Sequence, residues 1–255
     1  MKPLFLFCVI FTSFIPDNIF GLVGSYAKTS MVSIAFDDGN TNQYINALPI
    51  LDSIGYKATF YIITKTLNES NSARMNRGQV FQLYADGQEI GSHGRNHLDL
   101  AFCWPWTIKY EIEQSKKDLH NIGIDANSFA YPDGGSNFLA RYYVRQAGYA
   151  NGRGTPRDGY TGVNTDQYNL CCKYVVNTTT VNEIKNWVDE SKRKGYWLIL
   201  LFHAVNKSES NYQFSCTRKT FKEICLYLKS KNAAVLPVGQ ALKRYFPASQ
   251  PKNLN

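Results

Sequence analysis

The chain has 255 residues, 44% of them hydrophobic, and its 28 Lys and Arg against 20 Asp and Glu leave a net charge of +8. That length and apolar content exclude a disordered or fibrous chain and suit one large domain or two small ones. The positive residues are scattered, with no arginine-rich arm or nucleic-acid module, so nucleic acid is not an expected partner.

In chain order, the first feature is targeting. Residues 1–27 carry Lys2, an apolar run from Leu4 to Ile15 and then small residues at Gly21, Gly24, Ser25 and Ala27. This is the pattern of a secretory signal peptide. The run is short for a bilayer span and Pro16 and Asp17 interrupt it, so a secreted protein without a stable membrane span is expected once the signal is removed. The folded domain is then expected over 28–246, followed by a tail at 247–255.

Strand and helix signals alternate through that domain. "MVSIAF" is a strand, and "NQYINALPILDSIG" a helix with Ile45, Leu48, Leu51 and Ile54 at helical spacing and Pro49 near a start or kink. "KATFYII" is a strand, "GQVFQLYADG" a helix, "QEIGSH" a short strand and "WTIKYEIEQSKKDLHNIG" a long amphipathic helix. "SFAYP", "KYVVN", "YWLILLFH" and "AAVLPV" read as further strands. "NFLARYYVRQAG", "TVNEIKNWVDESKRKG" (Thr180 as N-cap), "TRKTFKEICLYLKSKN" and "GQALKRYF" read as helices. Repeated units of this length predict an α/β fold whose parallel sheet of seven or eight strands is an open sheet or a (β/α) barrel, with ligands at the C-terminal strand ends.

Those strand ends carry the chemistry. "IAF" runs into Asp37-Asp38-Gly39, "EIGS" into His93 with His97 four residues on, "SFAY" into Pro132-Asp133-Gly134, and "LILLF" into His203. His93 and His97, if on one helical turn, face the same side. Two imidazoles and one carboxylate make a three-ligand set with open positions, suited to Zn2+ and also to Co2+ or Mn2+. Of the paired aspartates, one can bind the metal while its neighbour takes a proton from a water that the metal polarises. Taken alone, Asp-Asp-Gly reads as a turn capping the next helix. His203 is either a hydrogen-bonded core histidine or a general acid. Phe102, Trp104 and Trp106 fall just after the histidines, on an expected rim loop, where flat rings either stack on sugars or pack the next helix.

"SIAFDDGN", "SHGRNH", "FAYPDG" and "LILLFH", in this order, resemble the polysaccharide deacetylases of the NodB-homology type, carbohydrate esterase family four. The resemblance runs from about Met31 to Tyr245. It implies a distorted (β/α) barrel of about seven strands and metal-dependent removal of acetyl groups from N-acetylglucosamine-containing polysaccharide or oligosaccharide such as chitin, peptidoglycan or poly-N-acetylglucosamine. It implies Asp37 as catalytic base, His203 as catalytic acid and Asp38, His93 and His97 as ligands of one divalent ion. The backbone beside Pro132 and Asp133 would hold the oxyanion, and Trp104 and Trp106 would meet substrate. The family's third motif often has an arginine where this chain has Ala130, leaving Arg153 or Lys173 as the basic partner of Asp37. A sugar-binding pseudoenzyme and a hydrolase of small non-sugar amides are the alternatives.

Six cysteines include Cys8 in the signal. Cys103, Cys171, Cys172, Cys216 and Cys225 form an odd set, in which Cys216 and Cys225 could pair. Asn68, Asn177 and Asn206 sit in glycan acceptor triplets.

Overall fold

The computed structural model describes residues 30–155 and 159–246. The expected signal peptide and C-terminal tail lie outside them. Among the described residues no helix is long and apolar enough to cross a membrane.

The strands are β1 (Met31–Phe36), β2 (Thr59–Ile62), β3 (Glu89–Ser92), β4 (Ser128–Ala130), β5 (Asn151–Arg153), β6 (Lys173–Tyr174), β7 (Trp197–Phe202), β8 (Ala204–Asn206), β9 (Ser215–Thr217) and β10 (Ala234–Val235). The helices are α1 (Leu48–Ile54), α2 (Arg77–Ala85), α3 (Pro105–His120), α4 (Phe138–Gln146), α5 (Val181–Lys194), α6 (Arg218–Ser230) and α7 (Val238–Tyr245). One parallel sheet runs β5-β4-β3-β2-β1-β7-β6, with β10 also paired to β1. Leu170 bridges to Arg153 of β5 and the next residues form β6 against β7, so one stretch of chain links the two edges into a distorted barrel. β8 and β9 form a small parallel pair apart from it.

Side-chain alternation produces two cores. From β1 and β7, Val32, Ile34, Phe36, Leu198, Leu200 and Phe202 face the helices. Met31, Ala35, Trp197, Ile199 and Leu201 face the barrel interior. Burial on both faces is why these strands are continuously apolar. Val238, Ala241 and Leu242 of α7 join the interior cluster beside the first residues of β1 and β7, so α7 plugs the barrel at the N-terminal ends of its strands.

The plug is pinned by Glu89. Its carboxylate accepts from Thr59 Oγ1 at 2.7 Å, Ser128 Oγ at 2.6 Å and the Gly239 N–H at 2.9 Å. Glu89→Ala strips three donors of their acceptor at once and is expected to lower stability by about 2–3 kcal/mol. A shifted urea midpoint checks this, and an unchanged midpoint refutes it.

Several sequence expectations change. The helix after β1 opens with a π-helical turn, Gln43–Ala47, before α1. The wider turn rotates the face, so Ile45 is exposed while Gln43 and Asn46 are buried. Pro49 sits in the first turn of α1, as its missing N–H allows. β5, β8 and β9 were not expected. Cys103, Cys171, Cys172, Cys216 and Cys225 are all free, and Cys216 and Cys225 are both buried in the outer core without forming a disulfide.

Candidate active site

β1 and β7 pair in register, Phe36 opposite Phe202, so the next residues, Asp37 and His203, emerge side by side with interior parity. The Asp37 N–H donates to Phe202 O at 3.0 Å. Gln43 locks the junction from below: its Nε2 donates to Asp37 O at 2.6 Å and to His203 O at 2.8 Å. The π-helical turn is what brings this polar side chain inward.

Asp37 is 3% exposed, and its Oδ2 lies 2.6 Å from Arg153 Nη2 on β5. Arg153 is also buried, with its guanidinium 5.3 Å from the Tyr61 ring centroid. Of the two basic residues considered from sequence, Arg153 meets the aspartate, whereas Lys173 lies over the rings of Tyr160 and Trp187. Burial alone would raise the Asp37 carboxyl, but the Arg153 guanidinium, with His93 and His203, outweighs it and holds the group below its ordinary value. Asp37 Oδ1 has no hydrogen-bond partner among the described residues. One oxygen is therefore clamped and the other is left to accept a proton.

Asp38, His93 and His97 converge, with one ligand atom from each all within 4.8 Å of one another. Asp38 Oδ1 is 3.7 Å from His93 Nε2 and 3.5 Å from His97 Nε2. Donors bound at about 2.1 Å with tetrahedral angles lie about 3.4 Å apart, so the cluster is close to the spacing of a zinc-type site. His93 Nδ1 is 2.9 Å from Ala130 O. Donation of its proton there leaves Nε2 with the lone pair a ligand needs. Burial pushes the His93 imidazole toward its neutral form against the pull of Asp37 and Asp38, and neutral is the binding state. Behind Asp38, Arg74 Nη1 donates to its backbone oxygen at 3.2 Å and lies 3.5 Å from its Oδ2.

The two histidines do not share a helical turn, contrary to the spacing argument. Gly94 and His97 have φ of 71° and 58°, and the loop between folds back. Buried Glu111 of α3 holds it, accepting from the Arg95 N–H at 3.1 Å, the Asn96 N–H at 2.7 Å and the Asn96 side chain. Asp38 and Asp133 are also left-handed, at φ 73° and 54°. Three non-glycine residues in this uncommon region at one cleft mark backbone held by its surroundings.

These groups line a cleft of about 210 Å³ that includes Asp37, Asp38, His93, His97, Asp133 and His203. Its far wall is Tyr174, Tyr212 and Phe214. The Tyr174 ring stacks on His203 with centroids 6.3 Å apart, and Phe214 approaches it to 5.1 Å. His203 Nδ1 has no partner among the described residues. Pro132 is buried and does not line the cleft. Trp104 and Trp106 are not on a loop beside it either: Trp104 caps α3 and Trp106 lies in its first turn, because Pro105 starts the helix between them. Both are about two-thirds exposed, and their rings stack at 5.2 Å.

Sequence reasoning missed Gln43, Arg74, Glu111, Tyr174, Tyr212 and Phe214. The polar pair Gln43 and Asn46 inside an apolar helical pattern was a usable signal for the first.

Comparison with known proteins gives a consistent result. Residues 25–152 match the family model described as polysaccharide deacetylase. A gellan lyase from Bacillus sp is 26% identical over 219 residues, covering 79% of this chain but only 8% of that protein. The chain thus spans a small part of that relative's length. Among solved structures, the domain of carbohydrate esterase family four from a multidomain xylanase of a Trinervitermes trinervoides hindgut metagenome superimposes with a TM-score of 0.59 at 19% identity, over 85% of this chain and 91% of that one. A pseudoenzyme of the same family from Bacillus anthracis gives a TM-score of 0.57 at 14% identity, over 84% and 66%.

Proposed function

Because the chain belongs to the polysaccharide deacetylase family, we propose that it is a secreted, divalent-metal-dependent hydrolase that removes acetyl groups from N-acetylglucosamine units of a polysaccharide or oligosaccharide. Chitin, peptidoglycan and poly-N-acetylglucosamine are the candidate polymers. The observation that carries this reading is the division of labour at Asp37: Oδ2 tied to Arg153, Oδ1 unpaired, and an Asp-His-His cluster beside it.

Asp38, His93 and His97 would hold the ion, Zn2+ in the first instance, with Co2+ or Mn2+ acceptable to the same donors. Bound there, it would supply Lewis acidity. Asp37 takes the proton of that water through Oδ1, kept ionised by Arg153. The backbone N–H of Asp133 would help hold the developing oxyanion. His203, backed by Tyr174 and Phe214, gives a proton to the leaving amine. The cleft is below the about 300–1,000 Å³ of drug-sized pockets, so it takes a single sugar unit and the polymer's other units lie outside it. Trp104 and Trp106 offer exposed aromatic faces to those units.

The test is acetate release from chitooligosaccharides, peptidoglycan and poly-N-acetylglucosamine, with chelator and after zinc is restored. Release from at least one polymer, abolished by chelator, restored by zinc and absent in Asp37→Asn, is expected. No release from any, with sugar binding retained, would make the chain a pseudoenzyme. Full activity in Asp37→Asn would remove the assigned base.

A further inference from the structure

A second feature opens on the same end of the barrel and has no part in the chemistry above. A shallow groove of about 570 Å³ lies between α1 and α6, floored by Pro49 and Ile50 and edged by Lys207, Arg218, Lys219 and Lys222. All four cations are exposed, and no carboxylate lines the groove. None of the four has an ion pair or side-chain hydrogen bond among the described residues. Some surface lysines elsewhere meet carboxylates, Lys57 with Asp52, Lys65 with Glu69, Lys109 with Glu113 and Lys194 with Glu190, so what marks the groove is that four cations gather around one apolar floor with no carboxylate among its lining residues.

The placement also costs the fold something. Arg218 and Lys219 open α6, whose first turn contains no acidic residue. The N-terminus of a helix carries partial positive charge, so two cations there are repelled by the backbone as well as by each other. The Thr217 side chain caps the helix by accepting from the Thr220 N–H, but among the described residues no carboxylate pairs with either cation, and a bound anion would.

Topology sets the groove beside the cleft. Lys207 follows β8, which follows His203, and Asn42 Nδ2 donates to Asn206 Oδ1 at 2.9 Å, tying that strand to the Asp37 loop. Cations around a small apolar floor match an acidic sugar ring, which presents a carboxylate at its edge and C–H groups on its face. The guanidinium fork of Arg218 suits a carboxylate in particular.

We propose that this groove binds a carboxylate-bearing polysaccharide, the carboxylates pairing with Lys207, Arg218, Lys219 and Lys222 and a sugar face resting on Pro49 and Ile50. The choice of a glycan rests on the family reading, but the binding needs no turnover and can be measured without it.

The experiment is affinity electrophoresis of the whole protein through gels containing sodium alginate, neutral hydroxyethylcellulose or polyphosphate. A variant with Lys207, Arg218, Lys219 and Lys222 changed to Gln is compared with a control in which exposed Lys192, Arg193, Lys229 and Lys243 are changed instead, so both lose the same charge. The wild type and the control should be retarded by alginate and not by hydroxyethylcellulose, and the groove variant should bind alginate about tenfold more weakly. Retardation should fade by about 0.5 M NaCl, where screening is strong. Equal weakening in groove variant and control would overturn the proposal in favour of net charge. Retardation by polyphosphate with none by alginate would overturn the assignment to a carboxylate glycan. Acetate release from a neutral chitooligosaccharide, measured on the same variants, reports separately on the deacetylation reading.

Discussion

Arg153→Met is expected to destabilise the protein by about 3–5 kcal/mol, because it leaves the Asp37 carboxylate buried without its cation. The same change should lower acetate release about 100- to 1,000-fold, since the base loses both its ionisation and its orientation. The residues involved are among the most enclosed in the molecule, at 3% and 1% exposure, so solvent cannot screen the loss. The double variant Arg153→Met with Asp37→Asn removes both charges and should recover most of the stability but none of the activity. Stability recovery without activity separates the ion pair from general damage to the barrel; a double variant no more stable than the single one would refute the pairing.

The pH dependence has a definite sign. In the wild type the folded Asp37 value lies below the unfolded one, so its stabilisation is present above the unfolded value of about 4 and disappears as pH falls through the folded value. In Arg153→Met burial prevails and the folded value rises above the unfolded one, so stability at this site falls as pH rises. The gap between the two urea midpoints should therefore widen from about pH 3 to pH 6. A constant gap over that range would mean that Arg153 does not set the ionisation of Asp37.

His93→Ala is the second large effect. It removes one of three donors, and the affinity for zinc in competition with a chromogenic chelator should fall by more than about 100-fold. Zinc at about one hundred times its Kd should stabilise the wild type by about 2.7 kcal/mol, seen as a rise in Tm, and should leave His93→Ala unmoved. His120 lies at the exposed end of α3, away from the cluster. His120→Ala should keep the full zinc response, and losing it there as well would argue against a defined site at Asp38, His93 and His97.

Much of the site is legible in the sequence. Asp37, Asp38, His93, His97, Asp133 and His203 all follow apolar strand runs, and a parallel sheet delivers such residues to one rim. Their ordering into motifs carried the family resemblance. The histidine loop was misread because four-residue spacing says nothing about handedness; Gly94 and His97 turn it left, and Glu111 on a helix beginning eight residues after His97 holds it there. Pro105 starts α3 one residue before the apolar periodicity does, which puts Trp106 in the first turn and Trp104 at the cap.

The alternation of strands and helices and the continuously apolar character of β1 and β7 follow from the sequence alone, because period and polarity are local properties, whereas the shared parity of Asp37 and His203 comes from the pairing of Phe36 with Phe202. The partner of Asp37 is not local. Arg153 lies 116 residues away in a Gly-flanked strand with no apolar signature. Only the closing of the barrel decided that its guanidinium, and not the Lys173 ammonium, would reach the carboxylate. The same closure turned Gln43 inward, set Asp38 between two histidines and left four cations unpaired along one groove. Each depends on distances between segments far apart in the chain, which side-chain chemistry alone does not specify.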